Sequence, residues 1–209
     1  MTNALTLGDM TPGRVQGVAR AQRDPAGRFH ALAPLSAVPA LERASRRQRA
    51  NAAVGVDGVP KAYDGPNLEA NLQALHAQLK AQRYRHQPIR RVHIPTAPGK
   101  TRPLGLSAFE DKGVQDAIRE GLAAVYAQDF LDCSDGFRPG WSAHAAVRTI
   151  KRIVDGDEVR WIFEADIVSF CDRLERTARK KRLAVRVADG SRVRLIGQCL
   201  HVGGRDGEA

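Results

Sequence analysis

The sequence predicts an α+β fold, and three observations carry that reading. Leu68, Leu72, Leu75 and Leu79 recur every three or four residues, which marks an amphipathic helix over 67–82 facing a core. Two short runs, Ile89-Arg90-Arg91-Val92-His93-Ile94 and Thr101-Arg102-Pro103-Leu104-Gly105-Leu106, flank the breakers of 95–99 and read as a basic β-hairpin. A short apolar, partly β-branched run over 160–168 reads as a buried strand that carries Asp166 near its end.

The other elements follow in chain order. Gly8, Pro12, Gly13, Gly17, Pro25 and Gly27 interrupt residues 1–30, so this stretch is expected to be a partly disordered, partly helical arm ahead of a main domain over 31–209. Residues 38–51 read as a basic helix bearing Arg43, Arg46, Arg47 and Arg49, and 54–59 as a tight turn. Val114, Ile118, Leu122 and Val125 mark a second long helix. After a loop over 129–141, Ser142 suits the N-cap of a third. Helices around 174–187 and 191–201 close the chain, separated by an Asp189-Gly190 turn.

Composition narrows the function classes. With 209 residues and 43% hydrophobic content the chain can build a core. Its formal charge of +10 and pI near 10.1 favour a polyanionic partner, nucleic acid first, through counterion release. Cys133, Cys171 and Cys199 are odd in number, far apart and outside any C-x-x-C pair, so no disulfide framework or zinc site is legible and a reducing cytoplasm fits. No basic-then-apolar leader opens the chain and no run is long enough to span a membrane, so no membrane partner is expected.

Three stretches carry residues suited to chemistry. In 161–172, an apolar strand delivering Asp166 before a helix is a way to present a carboxylate to Mg²⁺; on this stretch alone a helix cap or an ion pair is the simpler explanation of the same residue. In 90–105, Lys100 and Arg102 beside a Pro-Gly turn place two cations near phosphate oxygens, or else keep an edge strand from aggregating. In 132–144, Arg138 and the amides after Ser142 offer an anion site, against a plain glycine turn with a capped helix.

Together the motifs carry a resemblance. Val54-Gly55-Val56-Asp57-Gly58, then Thr101-Arg102-Pro103-Leu104-Gly105, then Gly136-Phe137-Arg138-Pro139-Gly140, then the strand with Asp166 occur in one order that resembles the fingers and palm of bacterial group II intron-encoded reverse transcriptases and maturases. The resemblance implies a right-hand polymerase fold, with fingers and a truncated, incomplete antiparallel palm sheet. It also implies an RNA-directed DNA polymerase, a nucleotidyltransferase of a mobile genetic element. Such an enzyme uses Mg²⁺ and takes intron RNA, an RNA template and a DNA primer as partners. By position, Asp166 becomes the catalytic metal carboxylate, joined by the backbone carbonyl of Ile167. Arg102 contacts the incoming triphosphate. Apart from the resemblance, the closely spaced arginines Arg43, Arg46, Arg47, Arg90 and Arg91, with Arg138 in its loop, are expected to face nucleic acid because clustered guanidiniums track phosphates.

Several positions depart from the family. Thr96 stands where a lysine is expected, leaving Lys100 to substitute. Cys171 replaces the aromatic that meets the ribose, and Asp135 replaces a tyrosine. No Tyr-x-Asp-Asp pair follows Cys171, so the chain is expected to stop inside the palm and to be inactive in isolation. A non-catalytic module for structured RNA and a degraded mobile-element relic are the alternative readings.

Overall fold

The computed structural model describes residues 19–24, 26–30, 37–61, 67–138, 140–156 and 159–206. Most of the expected N-terminal arm lies outside them; within it, 19–23 are helical and Ala21 is buried. The elements in order are α1 (Val38–Arg47), α2 (Leu68–Lys80), β1 (Ile89–Ala97), β2 (Lys100–Leu106), α3 (Phe109–Tyr126), α4 (Ala143–Gly156), α5 (Phe170–Arg173), α6 (Arg176–Arg186), α7 (Gly190–His201) and β3 (Gly204–Asp206). Mixed helix and strand of this kind is an α+β arrangement. The chain divides into two compact units, Arg28–Leu122 with Arg176–Ala209, and Met1–Gly27 with Ala123–Glu175.

The first unit holds the main hydrophobic core. Leu72, Leu75 and Leu79 of α2 meet Leu41 and Ala44 of α1, Val114 and Ala117 of α3, Leu195 of α7 and the ring of Tyr84. Each buried leucine contributes about 2 kcal/mol relative to exposure, so the leucine period read in the sequence is the period that is buried. At the end of α2, Gln82 adopts φ 56° while its N–H donates to Leu79 O at 3.2 Å and Arg83 N–H donates to Gln78 O at 2.9 Å. A glycine usually fills this left-handed position, and a glutamine there costs about 1 kcal/mol.

α1 is shorter than the run 38–51 suggests. Gln48 turns extended (φ −62°, ψ 139°), and the Lys61 ammonium donates to Arg46 O and Gln48 O at 2.9 and 2.5 Å, occupying carbonyls at the helix end. The turn after it is tight because Gly55 lies against the start of α3. A Cβ on Gly55 would sit 2.5 Å from the Ala108 backbone, so only glycine permits this approach.

The sheet has the order β2-β1-β3. β1 and β2 pair antiparallel from Arg90↔Leu106 to Ala97↔Lys100, with an irregularity between Pro95 and Ala97. Pro98 and Gly99 make the turn, Gly99 at φ 72°, the geometry that favours Pro then Gly. β3 is an addition to the elements expected from the sequence: Gly204–Asp206 runs parallel to Ile89–Arg91 and covers the other side of β1. The Asp189-Gly190 pair is also different from the expected turn. Asp189 is the N-cap of α7, its carboxylate accepting from Ser191 N–H and Arg192 N–H at 3.1 and 3.2 Å, and Gly190 is already helical.

In the second unit, Ser142 caps α4 as its sequence suggests, with Oγ accepting from Ala145 N–H at 3.2 Å. The expectation of a buried strand over 160–168 is corrected. Residues 159–167 run without regular structure, and Trp161 and Phe163 are each 91% exposed. An apolar run becomes a buried strand only when neighbouring strands take its N–H and C=O groups and a layer covers its faces. No described residue pairs with it in a sheet. α4 likewise buries none of its residues, leaving Val147 and Ile150 exposed.

Candidate nucleic-acid interface

The hairpin is built to hold cations in the open. On a strand, alternate side chains share a face and directly paired residues face the same way. The register therefore puts Arg90, Val92, Ile94, Arg102, Leu104 and Leu106 on one face of β1–β2, and Arg91, His93, Pro95, Thr101 and Pro103 on the other. Arg90 and Arg91 are neighbours in sequence, and the pleat separates them. Arg90 is half-buried, and Arg91, Lys100 and Arg102 are exposed. Ile94 and Leu104 stay 45% and 43% exposed beside Arg102, a mixed cationic and apolar surface. Thr96, at the expected lysine position, donates from Oγ1 to Lys100 O at 3.3 Å, fixing the turn rather than adding charge.

A buried polar network clamps the base of this hairpin. The Tyr84 hydroxyl donates to Asp111 Oδ1, and Gln87 N–H donates to Asp111 Oδ2 at 3.1 Å. His86 Nδ1 lies 2.6 Å from Gln87 O and 3.4 Å from Asp111 Oδ2, and its Nε2 lies 2.7 Å from Gln115 Nε2. Those partners assign the ring proton to Nδ1, leaving Nε2 to accept from the amide. Gln115 Nε2 also donates to Ser107 Oγ at 3.2 Å. The side chains of His86 and Asp111 are 1% and 2% exposed. Residues just before β1 are thereby tied to residues just after β2.

Burial shifts the titration of this network. It raises the Asp111 pKa above the ordinary aspartate value, although Tyr84, His86 and Gln87 oppose it. It raises the Tyr84 phenol too, reinforced by the Asp111 bond, and pushes the Cys199 thiol up to about 11. None of the sequence motifs points to this network. A signal was present all the same, since Asp111 lies three and seven residues before Val114 and Ile118 and so falls on the apolar stripe of α3.

The arginines of α1 divide between structure and surface. Arg43 pairs with Glu120 at 2.8 Å, and Arg47 pairs with Glu120 at 2.6 Å and Asp116 at 2.7 Å. Burial works against the Glu120 carboxylate, but the two guanidiniums outweigh it and hold its pKa below the ordinary value. Burial also opposes the Arg47 charge, and Asp116 and Glu120 more than restore it. Arg43 and Arg47 thus fasten α1 to α3. Arg46 is exposed and meets Glu42 at 2.6 Å, one turn away.

In the second unit, Arg138 lies over the rings of Phe130 and Trp141, 5.4 and 4.6 Å from their centroids. Its Nη1 donates to Leu131 O and Ser134 O at 2.9 and 3.0 Å, so it organises its own loop. Asp166 is exposed in the irregular segment, and Ile167 O accepts from Phe170 N–H at 3.3 Å. Cys171 falls in α5. Two Mg²⁺ ions for nucleotidyl transfer require several converging oxygen ligands. Among the described residues no group of three His, Cys, Asp or Glu side chains converges, so this donor set does not fit that centre. No described helix is long and apolar enough to cross a membrane.

Comparison with known proteins adds a second line. No family model matches the chain. It is 36% identical over 152 residues to protein YkfC of Escherichia coli K12, an alignment covering 71% of this chain and 40% of that protein. It is 35% identical over 136 residues to the group II intron-encoded protein LtrA of Lactococcus lactis, covering 65% of this chain and 22% of LtrA. A 91 kDa protein in the cob intron of Schizosaccharomyces pombe is 32% identical over 144 residues, covering 69% of this chain and 18% of that protein. The chain therefore spans less than half the length of each of these relatives.

Proposed function

Because this chain is a homologue of the group II intron-encoded proteins, we propose that it is the RNA-gripping fingers portion of an intron reverse transcriptase and maturase, with the β1–β2 hairpin as its main contact. The carrying observation is the braced hairpin. Arg91, Lys100 and Arg102 stand exposed on a two-stranded ribbon whose base is locked by Asp111, and the chain carries a formal charge of +10. Exposed arginines and lysines on a rigid support bind phosphate oxygens with little ordering cost, and structured RNA is read largely by backbone and shape. Ile94 and Leu104 beside Arg102 add a surface on which a base or sugar can rest.

Within this reading, intron RNA is the partner, and the family's RNA template and DNA primer belong to the polymerase reaction. Arg102 and Lys100 would meet a triphosphate or template phosphate, and Asp166 would be one carboxylate for Mg²⁺. No transfer step is assigned to the described residues, since their donor set is too small.

The test is binding of a structured intron-type RNA across a salt series by wild type and by the Lys100→Ala, Arg102→Ala double variant. Removing two cations that each neutralise a phosphate should lower the slope of log K against log salt by about 2. An unchanged slope and affinity would remove the hairpin from the interface.

A further inference from the structure

A cavity of about 300 Å³ opens in the first unit between the end of α2 and the start of α7. Three cationic side chains line it: Lys80 from α2, and Arg192 and Arg194 from α7. Among the described residues its lining holds no carboxylate. Asp189 stands nearby as the α7 cap, with Oδ2 3.9 Å from Arg192 Nε, so one of the three charges is partly met. Burial lowers the Arg192 pKa, and Asp189 offsets part of that cost. A cation held largely out of water in this way gains from an anion entering the cavity.

The rest of the lining is not that of a bare phosphate site. Leu79, Leu195 and the ring of Tyr84 form an apolar floor, all three buried. The Tyr84 hydroxyl is committed to Asp111, so it is the ring that faces the space. Gln82 and Gln198 add two amides, each able to donate and accept. Arg194 Nη1 donates to Gln82 Oε1 at 3.2 Å, which holds cation and amide together at the rim. An apolar floor, amides and clustered cations match a base, its polar edge and its phosphate, and the volume is at the lower end for small-molecule sites, about 300–1,000 Å³.

We propose that this α2–α7 cavity binds one nucleotide unit, with its phosphate among Lys80, Arg192 and Arg194 and its base on the Leu79–Tyr84–Leu195 floor. The proposal rests on the nucleic-acid reading above and adds a second, separate contact to it. An unpaired nucleotide of the RNA and a free mononucleotide present the same chemistry, and competition tells them apart.

The experiment titrates the full chain with AMP, GMP, CMP, UMP and inorganic phosphate by calorimetry. It repeats the series with the Lys80→Gln, Arg194→Gln double variant and with Gln198→Ala. At least one nucleotide should bind about tenfold or more tighter than phosphate, and the double variant should weaken it about tenfold with an unchanged thermal midpoint. Gln198→Ala should alter the preference among the four bases more than their common affinity. Displacement of the bound nucleotide by structured RNA would identify RNA as the source, and its persistence beside bound RNA would identify the free nucleotide. Equal binding of phosphate and nucleotide, or nucleotide binding untouched by the double variant, would overturn the proposal. So would no saturable nucleotide binding while the salt-dependent RNA affinity persists, an outcome that leaves the hairpin reading standing.

Discussion

The two units put similar sequence material to opposite uses. In the first, charged and polar side chains are buried: Asp111 and His86 under the hairpin, and Glu120 beneath the partly exposed Arg43 and Arg47 that pair with it. In the second, large apolar residues lie in the open: Trp161, Phe163, Val147 and Ile150. At these positions burial follows from available partners rather than from hydropathy. Both carboxylate oxygens of Asp111 have a donor, so its desolvation is partly offset. The run 160–168 has the composition of a core strand but no described strand beside it.

The largest effect is expected at Asp111, where the contrast between the units is sharpest. Asp111→Ala leaves the Tyr84 hydroxyl and the Gln87 N–H without their acceptor, and should cost about 3 kcal/mol in urea unfolding followed by circular dichroism. Asp111→Asn, which keeps an acceptor oxygen, should recover part of it. A cost below about 1 kcal/mol for the alanine variant would mean the network does not brace the fold.

The next effect is electrostatic and depends on pH. Glu120 has a folded-state pKa depressed below its unfolded value, so its contribution is present above the unfolded pKa, about 4.3, and is lost as pH falls through the folded pKa. Glu120→Gln should therefore destabilise the chain by about 1–2 kcal/mol at neutral pH and flatten the loss of stability between about pH 5 and 3. An acid limb as steep as wild type would assign that limb to other carboxylates.

A smaller effect belongs to the surface. Phe163→Ser in the exposed segment should move the thermal midpoint by less than about 2 °C, because the ring gives up little burial. The same change should reduce light scattering of concentrated protein, since it removes part of an exposed apolar stretch. A large fall in the midpoint would show that the segment is packed in solution.

Local pattern made much of the fold legible. The leucine period of α2, the Pro98-Gly99 turn and the Ser142 cap all depend on neighbours a few residues away. What escaped the sequence depends on distant partners. β3 pairs with a strand more than a hundred residues earlier, and Glu120 reaches back to Arg43 and Arg47. Arg43 and Arg47 read as nucleic-acid contacts because a run of arginines looks the same whether its partner is a phosphate or a carboxylate. The hairpin residues Arg91, Lys100 and Arg102 were legible as exposed cations. That Arg90 lies on the opposite face to Arg91 required only the period of a strand.

Hydrogen–deuterium exchange on the full chain, with and without structured RNA, puts the hairpin interface to the plainest test. RNA should slow exchange in residues 89–106 and leave 159–168 fast in both states. Protection of 159–168 with an unaffected hairpin would overturn that interface, and would place the RNA on the exposed apolar segment instead.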